Sequence, residues 1–150
     1  MSLSDDLATE MLGLLLGLAV SINGQPATVV QRKLPSVDDV LDALPMLIFT
    51  PPEEPDSDEP FNTGGYRLYQ FVYEVALVAK GNRDLVTGLP DFRLARQQVS
   101  FLFGQPRPLN NPALLRIDLE PGQVIDRGKI NANYDYSTMR LRVQAVAIPV

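Results

Sequence analysis

The chain contains no cysteine, no histidine and no tryptophan. Without cysteine there is no disulfide scaffold, no thiol nucleophile and no thiolate metal site. Without histidine, the commonest general base near neutral pH and the commonest metal ligand are missing. Serine–histidine triads, Cys/His zinc sites and histidine-ligated haem are therefore excluded. Lysine is scarce: Lys33, Lys80 and Lys129 are the whole set, and none stands in a Schiff-base or phosphate-binding setting. Gly64-Gly65 and Gly81-Asn82 match no phosphate-binding fingerprint and read as turns. Ser57, Ser100 and Ser137 lack a nucleophile-elbow sequence. These absences argue against an enzyme and leave no cofactor implied. The most apolar stretch, residues 11–20 (MLGLLLGLAV), is also too short for a bilayer, which needs about 20 residues in a helix. It follows Asp5, Asp6 and Glu10 rather than a positive leader, so the expectation is a soluble, cytosolic, non-secreted protein.

What is present is an ordinary globular composition. The 150 residues are 45% hydrophobic and 21% charged, which suits a single domain over 1–150. Folding a chain of roughly this size buries about 70% of the surface exposed when unfolded, so a core needs no staples. The net charge of −5 is unevenly spread. Residues 1–75 hold 12 acids and 3 bases (−9), whereas residues 76–150 hold 6 acids and 10 bases (+4). That asymmetry is compatible with one copy's acidic part facing the next copy's basic part. The acidity also argues against nucleic acid as the main partner, since phosphate binding needs a dense basic patch.

The apolar periodicity sets the expected elements. Ser4 caps a first helix, with Asp5 and Asp6 in its first turn and Leu7, Met11, Leu14, Leu15 and Leu18 on one stripe. Leu12 and Leu16 widen the stripe, and Gly13 and Gly17 offer close approach of another backbone. Asn23-Gly24 marks a turn, 28–34 a short strand, 36–44 a short helical segment, and 46–49 (MLIF) a strand. Residues 51–65 (PPEEPDSDEPFNTGG) hold five acids and four prolines without apolar periodicity, and are expected as an exposed, mobile excursion. Residues 66–80 then form a long strand, with Tyr69, Phe71, Tyr73, Val75, Leu77 and Ala79 on one face. Its length predicts a bend or bulge and cover on both faces for part of its run. A second helix starts near Pro90, buries Phe92, Ala95, Val99 and Leu102, and stops at Gly104. Strands follow over 113–119, with Leu115, Ile117 and Leu119 on one face, and over 123–130 and 137–148, with Pro121-Gly122 as a turn. The order indicates α+β: a mainly antiparallel β-sheet with the N-terminal helix and the second helix packed on one face.

Few residues remain as candidates for chemistry. Glu53, Glu54, Asp56, Asp58 and Glu59 supply oxygen ligands in principle, but the segment fails the alternating pattern of a calcium loop. No metal is therefore assigned. Asp118, Glu120 and Glu74 sit on polar strand faces rather than as a placed acid–base pair. Tyr66, Tyr69, Phe71 and Tyr73 lack the basic groove of a stacking platform and read as core packing with an edge tyrosine.

The order of shapes resembles the tail-terminator family of long-tailed bacteriophages, sometimes described as minor tail or neck proteins. It rests on the N-terminal helix and a short strand followed by LPSVDDVLDALPMLIFTP. The acid- and proline-rich segment leads into YRLYQFVYEVALVAKG, the helix LPDFRLARQQVSFLFG, and the terminal STMRLRVQAVAIPV. These are patterns of size and shape, and they carry no catalytic motif. The resemblance implies a non-enzymatic structural subunit of a phage or prophage virion, assembled in the bacterial host cytoplasm. It implies a homo-oligomeric ring, usually a hexamer, that caps the tail tube and joins it to the head connector. On that basis the segment 51–65 (Glu53, Glu54, Asp56, Asp58, Glu59) and the strand face of Arg140 and Arg142 are the expected contact surfaces. Reversing both arginines to glutamate is expected to impair assembly and spare the fold. Two alternatives remain beside it: another virion or injection-machine adaptor, such as a head-completion or baseplate protein, and a bacterial ligand-binding or regulatory domain.

Overall fold

Two 14-residue strands form the spine of the molecule in the computed structural model. It describes residues 2–33, 43–62, 64–80, 91–122, 124 and 134–147. Strand β6 (Arg67–Lys80) and strand β8 (Tyr134–Ala147) pair antiparallel from Arg67↔Ala147 to Lys80↔Tyr134. The register is unbroken over the whole ladder. The bulge expected from the strand's length is therefore absent. An equally long, equally patterned partner supports the full run.

The other strands attach to this spine. Strand β4 (Met46–Thr50) pairs antiparallel with the upper half of β6, and β3 (Thr28–Gln31) runs parallel to β4. Strand β7 (Leu114–Glu120) lies on the far side of β8, giving the order β3-β4-β6-β8-β7. A separate two-residue pair, β1 (Ser21–Ile22) and β2 (Gln25–Pro26), encloses Asn23 and Gly24. Both turn residues have positive φ, 53° and 77°, which asparagine and glycine accept at little cost.

The segment 51–65 departs from expectation. Ser57–Pro60 is strand β5, paired antiparallel with Arg67–Gln70 of β6 in a hairpin. Its residues are exposed, as expected. Pro60 is tolerated in the strand because β5 lies at the sheet edge, and Pro51, Pro52 and Pro55 precede it. The acids are tolerated because arginines meet them: Asp58 pairs with Arg67, and Asp56 with Arg142.

Helix α1 (Leu3–Gly17) and helix α2 (Arg93–Phe103) pack on one face of the sheet. Leu7, Met11 and Leu15 of α1, and Ala95, Val99 and Phe103 of α2, are buried with the odd-numbered side chains of β6 and β8. This is the expected α+β architecture. Tyr73 is buried there and its hydroxyl donates to the Ser4 carbonyl at 2.9 Å. Burial raises its phenol pKa well above the ordinary tyrosine value. The α1 cap is Ser2 rather than Ser4: Ser2 Oγ accepts from the Asp5 N–H, and Asp5 returns a bond to the Ser2 N–H. Gly13 and Gly17 are exposed, and nothing lies within 4 Å of where a Cβ would stand, so they serve no close approach.

The opposite face of the sheet divides along its length. Met46, Ile48, Ala76, Val78, Tyr134 and Tyr136 form a second buried cluster at one end. The expectation that the long strand is covered on both faces for part of its run is met there. At the other end the same face is mixed: Gln70, Glu74, Arg140, Arg142 and Gln144 occupy it together with half-buried Leu68, Val72 and Val146. The expected helical segment over 36–44, the turn at Gly81-Asn82, the Pro90 helix start and the strand over 123–130 lie wholly or partly outside the described residues.

Candidate functional site

The polar end of the sheet gathers most of the charged residues singled out in the sequence. Alternation places Glu74 of β6, Arg140 and Arg142 of β8, and Asp118 and Glu120 of β7 on the face away from the helices. Arg142 is the centre. Its Nε donates to Glu120 Oε1 at 2.7 Å and its Nη1 to Asp56 Oδ2 at 3.1 Å. It thereby ties strand β7 to the root of the β5–β6 hairpin across β8. Glu120 first, and Asp56 second, raise its pKa further above the ordinary arginine value. Arg140 stands opposite Glu74 in the ladder, with Nε 3.6 Å from Glu74 Oε1. Arg116 reaches Asp118 at 2.6 Å. Lys33 meets Glu53 at 3.3 Å.

These contacts change how the charge asymmetry is read. Glu53, Asp56 and Asp58 are paired with cations of their own chain, and so are Arg140 and Arg142. Acids of the first half and bases of the second meet within one molecule, because β6 and β8 are neighbours. At these described residues the linear division of −9 and +4 does not separate into two surfaces. Glu54 and Glu59 stay exposed. Arg142 is also more than a surface cation. Arg142→Glu would bring three carboxylates together, so a lower urea midpoint is expected, with partial recovery on adding Asp56→Lys. An unchanged midpoint would mean that the cross-strand ion pairs do not hold the hairpin root. The double reversal expected to spare the fold is thus a poor test of assembly, and Arg140 alone is the cleaner site.

Among the described residues, no group of three or more acidic side chains comes together as a metal cluster. Asp118 and Glu120, read as polar strand positions, are occupied with Arg116 and Arg142. The described grooves are open. One of about 660 Å³ is lined by Ser2, Asp5, Arg32, Lys33, Thr50 and Glu53, a mixed-charge surface at the α1 N-terminus. No described helix is long and apolar enough to cross a membrane.

The residues that sequence reasoning passed over are apolar. Phe101 is 76% exposed and Leu94 55% exposed, although α2 buries Ala95, Val99 and Phe103 and half-buries the expected Leu102. The two are seven residues apart, so they lie on one side of the helix, about 20° from eclipsed. Gln97 and Ser100 beside them border a shallow surface that continues to Leu119, Pro121 and Val124 of the β7 end. The signal was available in the sequence as a second apolar spacing off the core stripe. Arg96, on the same helix, turns inward: its Nη1 donates to Ser137 Oγ at 2.8 Å and to the Thr138 carbonyl at 2.9 Å. Burial lowers its pKa from the ordinary value. Arg93 instead holds Asp91, whose carboxyl is lowered to about 2 by the bonds from the Arg93 side chain and N–H.

Leu115 is 53% exposed, contrary to its expected place beside Ile117 and Leu119. The β7–β8 register shifts between Leu114 and Arg116. One extra residue inverts the period-two alternation, so Ala113 and Leu114 pack on the core while Leu115 faces out. Phe61 and Tyr66 at the hairpin tip are 53% and 40% exposed. No protein-family model matches the chain, and no curated protein is similar to it at a significant level.

Proposed function

We propose that this chain is a non-enzymatic structural subunit that works through its surfaces, and specifically a tail-terminator-like subunit of a phage or prophage tail. The observation that carries the first half is the set of large apolar side chains left outside a complete core. Phe101, Leu94, Phe61 and Leu115 are each more than half exposed, while the inward stripes of both helices and both long strands are filled. Leu94 and Phe101 share one face of α2, Phe61 stands at the hairpin tip and Leu115 on the edge strand β7, and this exposure supports contacts with other proteins.

The second half rests on the resemblance in the order and size of the elements. A terminator-like subunit would assemble in the host cytoplasm as a ring on the end of the tail tube, stop its growth and present a face to the head connector. Deleting the coding sequence from the phage or prophage that carries it tests this directly. Electron microscopy of the lysate is expected to show tubes of unregulated length without heads, restored to uniform length by the chain supplied in trans. Tails of normal length in the deletion would overturn the reading.

A further inference from the structure

Strand β7 ends the order of the main sheet, with β8 on one side and no described strand on the other. An edge strand directs every second N–H and C=O away from its single neighbour. The outer side of β7 therefore presents a row of backbone donors and acceptors to which no described strand is bonded. The other edges are guarded or short: β5 carries Pro60 beside two acids, and β3 has four residues. Strand β7 has seven residues and no proline.

The side chains of β7 select what can pair with it. Leu115-Arg116-Ile117-Asp118-Leu119 runs apolar, basic, apolar, acidic, apolar, and is its own complement when reversed. A second copy added antiparallel across this edge is related by a two-fold axis perpendicular to the sheet, so helix face continues helix face. Centred on Ile117, the pair sets each Arg116 opposite Asp118 of the other copy. Centred on Arg116 or on Asp118, it would set that charge against its own copy. Centred on Leu119, it would set Asp118 against Glu120. Residues directly opposite stand about 5 Å apart at Cβ, so these contacts decide the register. Arg116 and Asp118 already bond within the chain at 2.6 Å. Two such pairs side by side make four charges alternating in sign, so neither ion pair is given up and no net charge is needed to hold the copies. The same register brings Leu115, 53% exposed at the bulge, to the level of Leu119 of the other copy. We propose that β7 of one copy pairs antiparallel with β7 of a second copy about Ile117, joining the two sheets into one. The contact is isologous and closes at two copies. It goes beyond the tail reading, and it neither builds nor forbids a ring made through other surfaces.

The test is a charge exchange across the two-fold axis, with circular dichroism checking that each variant folds. Sedimentation velocity on the wild-type chain, at concentrations up to about 100 μM, should show a monomer–dimer equilibrium. Arg116→Asp alone sets acid against acid between copies, and Asp118→Arg alone sets base against base. Each is expected to dimerise at least about ten-fold more weakly. Mixed in equal amounts, the two variants should form a heterodimer, because the acids of one then face the bases of the other. Both substitutions in one chain restore self-complementarity and should restore the homodimer, which a general loss of folding would not do. A wild-type chain that stays monomeric overturns the pairing. Single variants that associate as the wild type does overturn it as well, and place self-association on another surface. Weakened single variants that neither mixing nor the double exchange rescues overturn the Ile117 register. None of these results bears on tail length in the deletion phage, so a failure of the pairing and a failure of the terminator reading are read separately.

Discussion

Phe49→Ala is expected to cost about 3–5 kcal/mol of folding stability, the range for truncating a buried phenylalanine. Phe49 is fully buried in β4, and its ring stacks on Tyr73 with centroids 5.6 Å apart and planes 3° from parallel. Tyr73 in turn meets Phe71 edge-on and bonds the first turn of α1. Removing the ring therefore opens a void in the closely packed core cluster that joins β4, β6 and α1. Phe101→Ala provides the internal contrast. The same substitution on an exposed ring should change stability by no more than about 0.5 kcal/mol. Urea unfolding of both variants at equal concentration checks the pair. A loss below about 1.5 kcal/mol for Phe49→Ala would show that the site collapses around the void.

Gly122→Ala is expected to destabilise by about 1–3 kcal/mol, the cost of forcing atoms into an occupied space. A Cβ at Gly122 would stand 2.5 Å from the Thr138 carbonyl oxygen and 2.9 Å from its hydroxyl oxygen. The nearest atom is backbone, so no rotamer change relieves the contact. The same carbonyl accepts the bond from Arg96. Displacing it disturbs the tie between α2 and β8 as well as the path of the chain after β7. Adding Thr138→Ala removes the hydroxyl but not the carbonyl, and the double variant should remain destabilised relative to Thr138→Ala alone. Recovery to that level would place the conflict at the hydroxyl instead. The sequence marked Pro121-Gly122 as a turn; the reason for glycine is this close approach.

The long strands were legible because period-two alternation in 66–80 and 137–148 is strong and uninterrupted. Which strands neighbour each other was not legible, and that decides where the charges go. Arg142 and Asp56 lie 86 residues apart and meet only because β8 and β5 both flank β6. The excursion 51–65 was read as structureless because local composition forbids a central strand, and nothing local distinguishes a central strand from an edge. On α2 Phe92, Ala95 and Val99 were read correctly, but the stripe ends on buried Phe103 with Leu102 half-buried, and Leu94 and Phe101 were not weighed as a second one. A stripe is recognised by what it packs against, and the outer face of α2 packs against nothing in this chain's described residues.

The sequence by itself determined the exclusions and the element types. Absent cysteine and histidine remove whole classes of chemistry whatever the fold, and apolar spacing of two or about 3.6 residues follows from backbone geometry alone. The tertiary structure alone decided which charges are neutralised within the chain and which apolar side chains remain outside. Both depend on contacts between segments distant in sequence, and residue order carries no direct record of those distances.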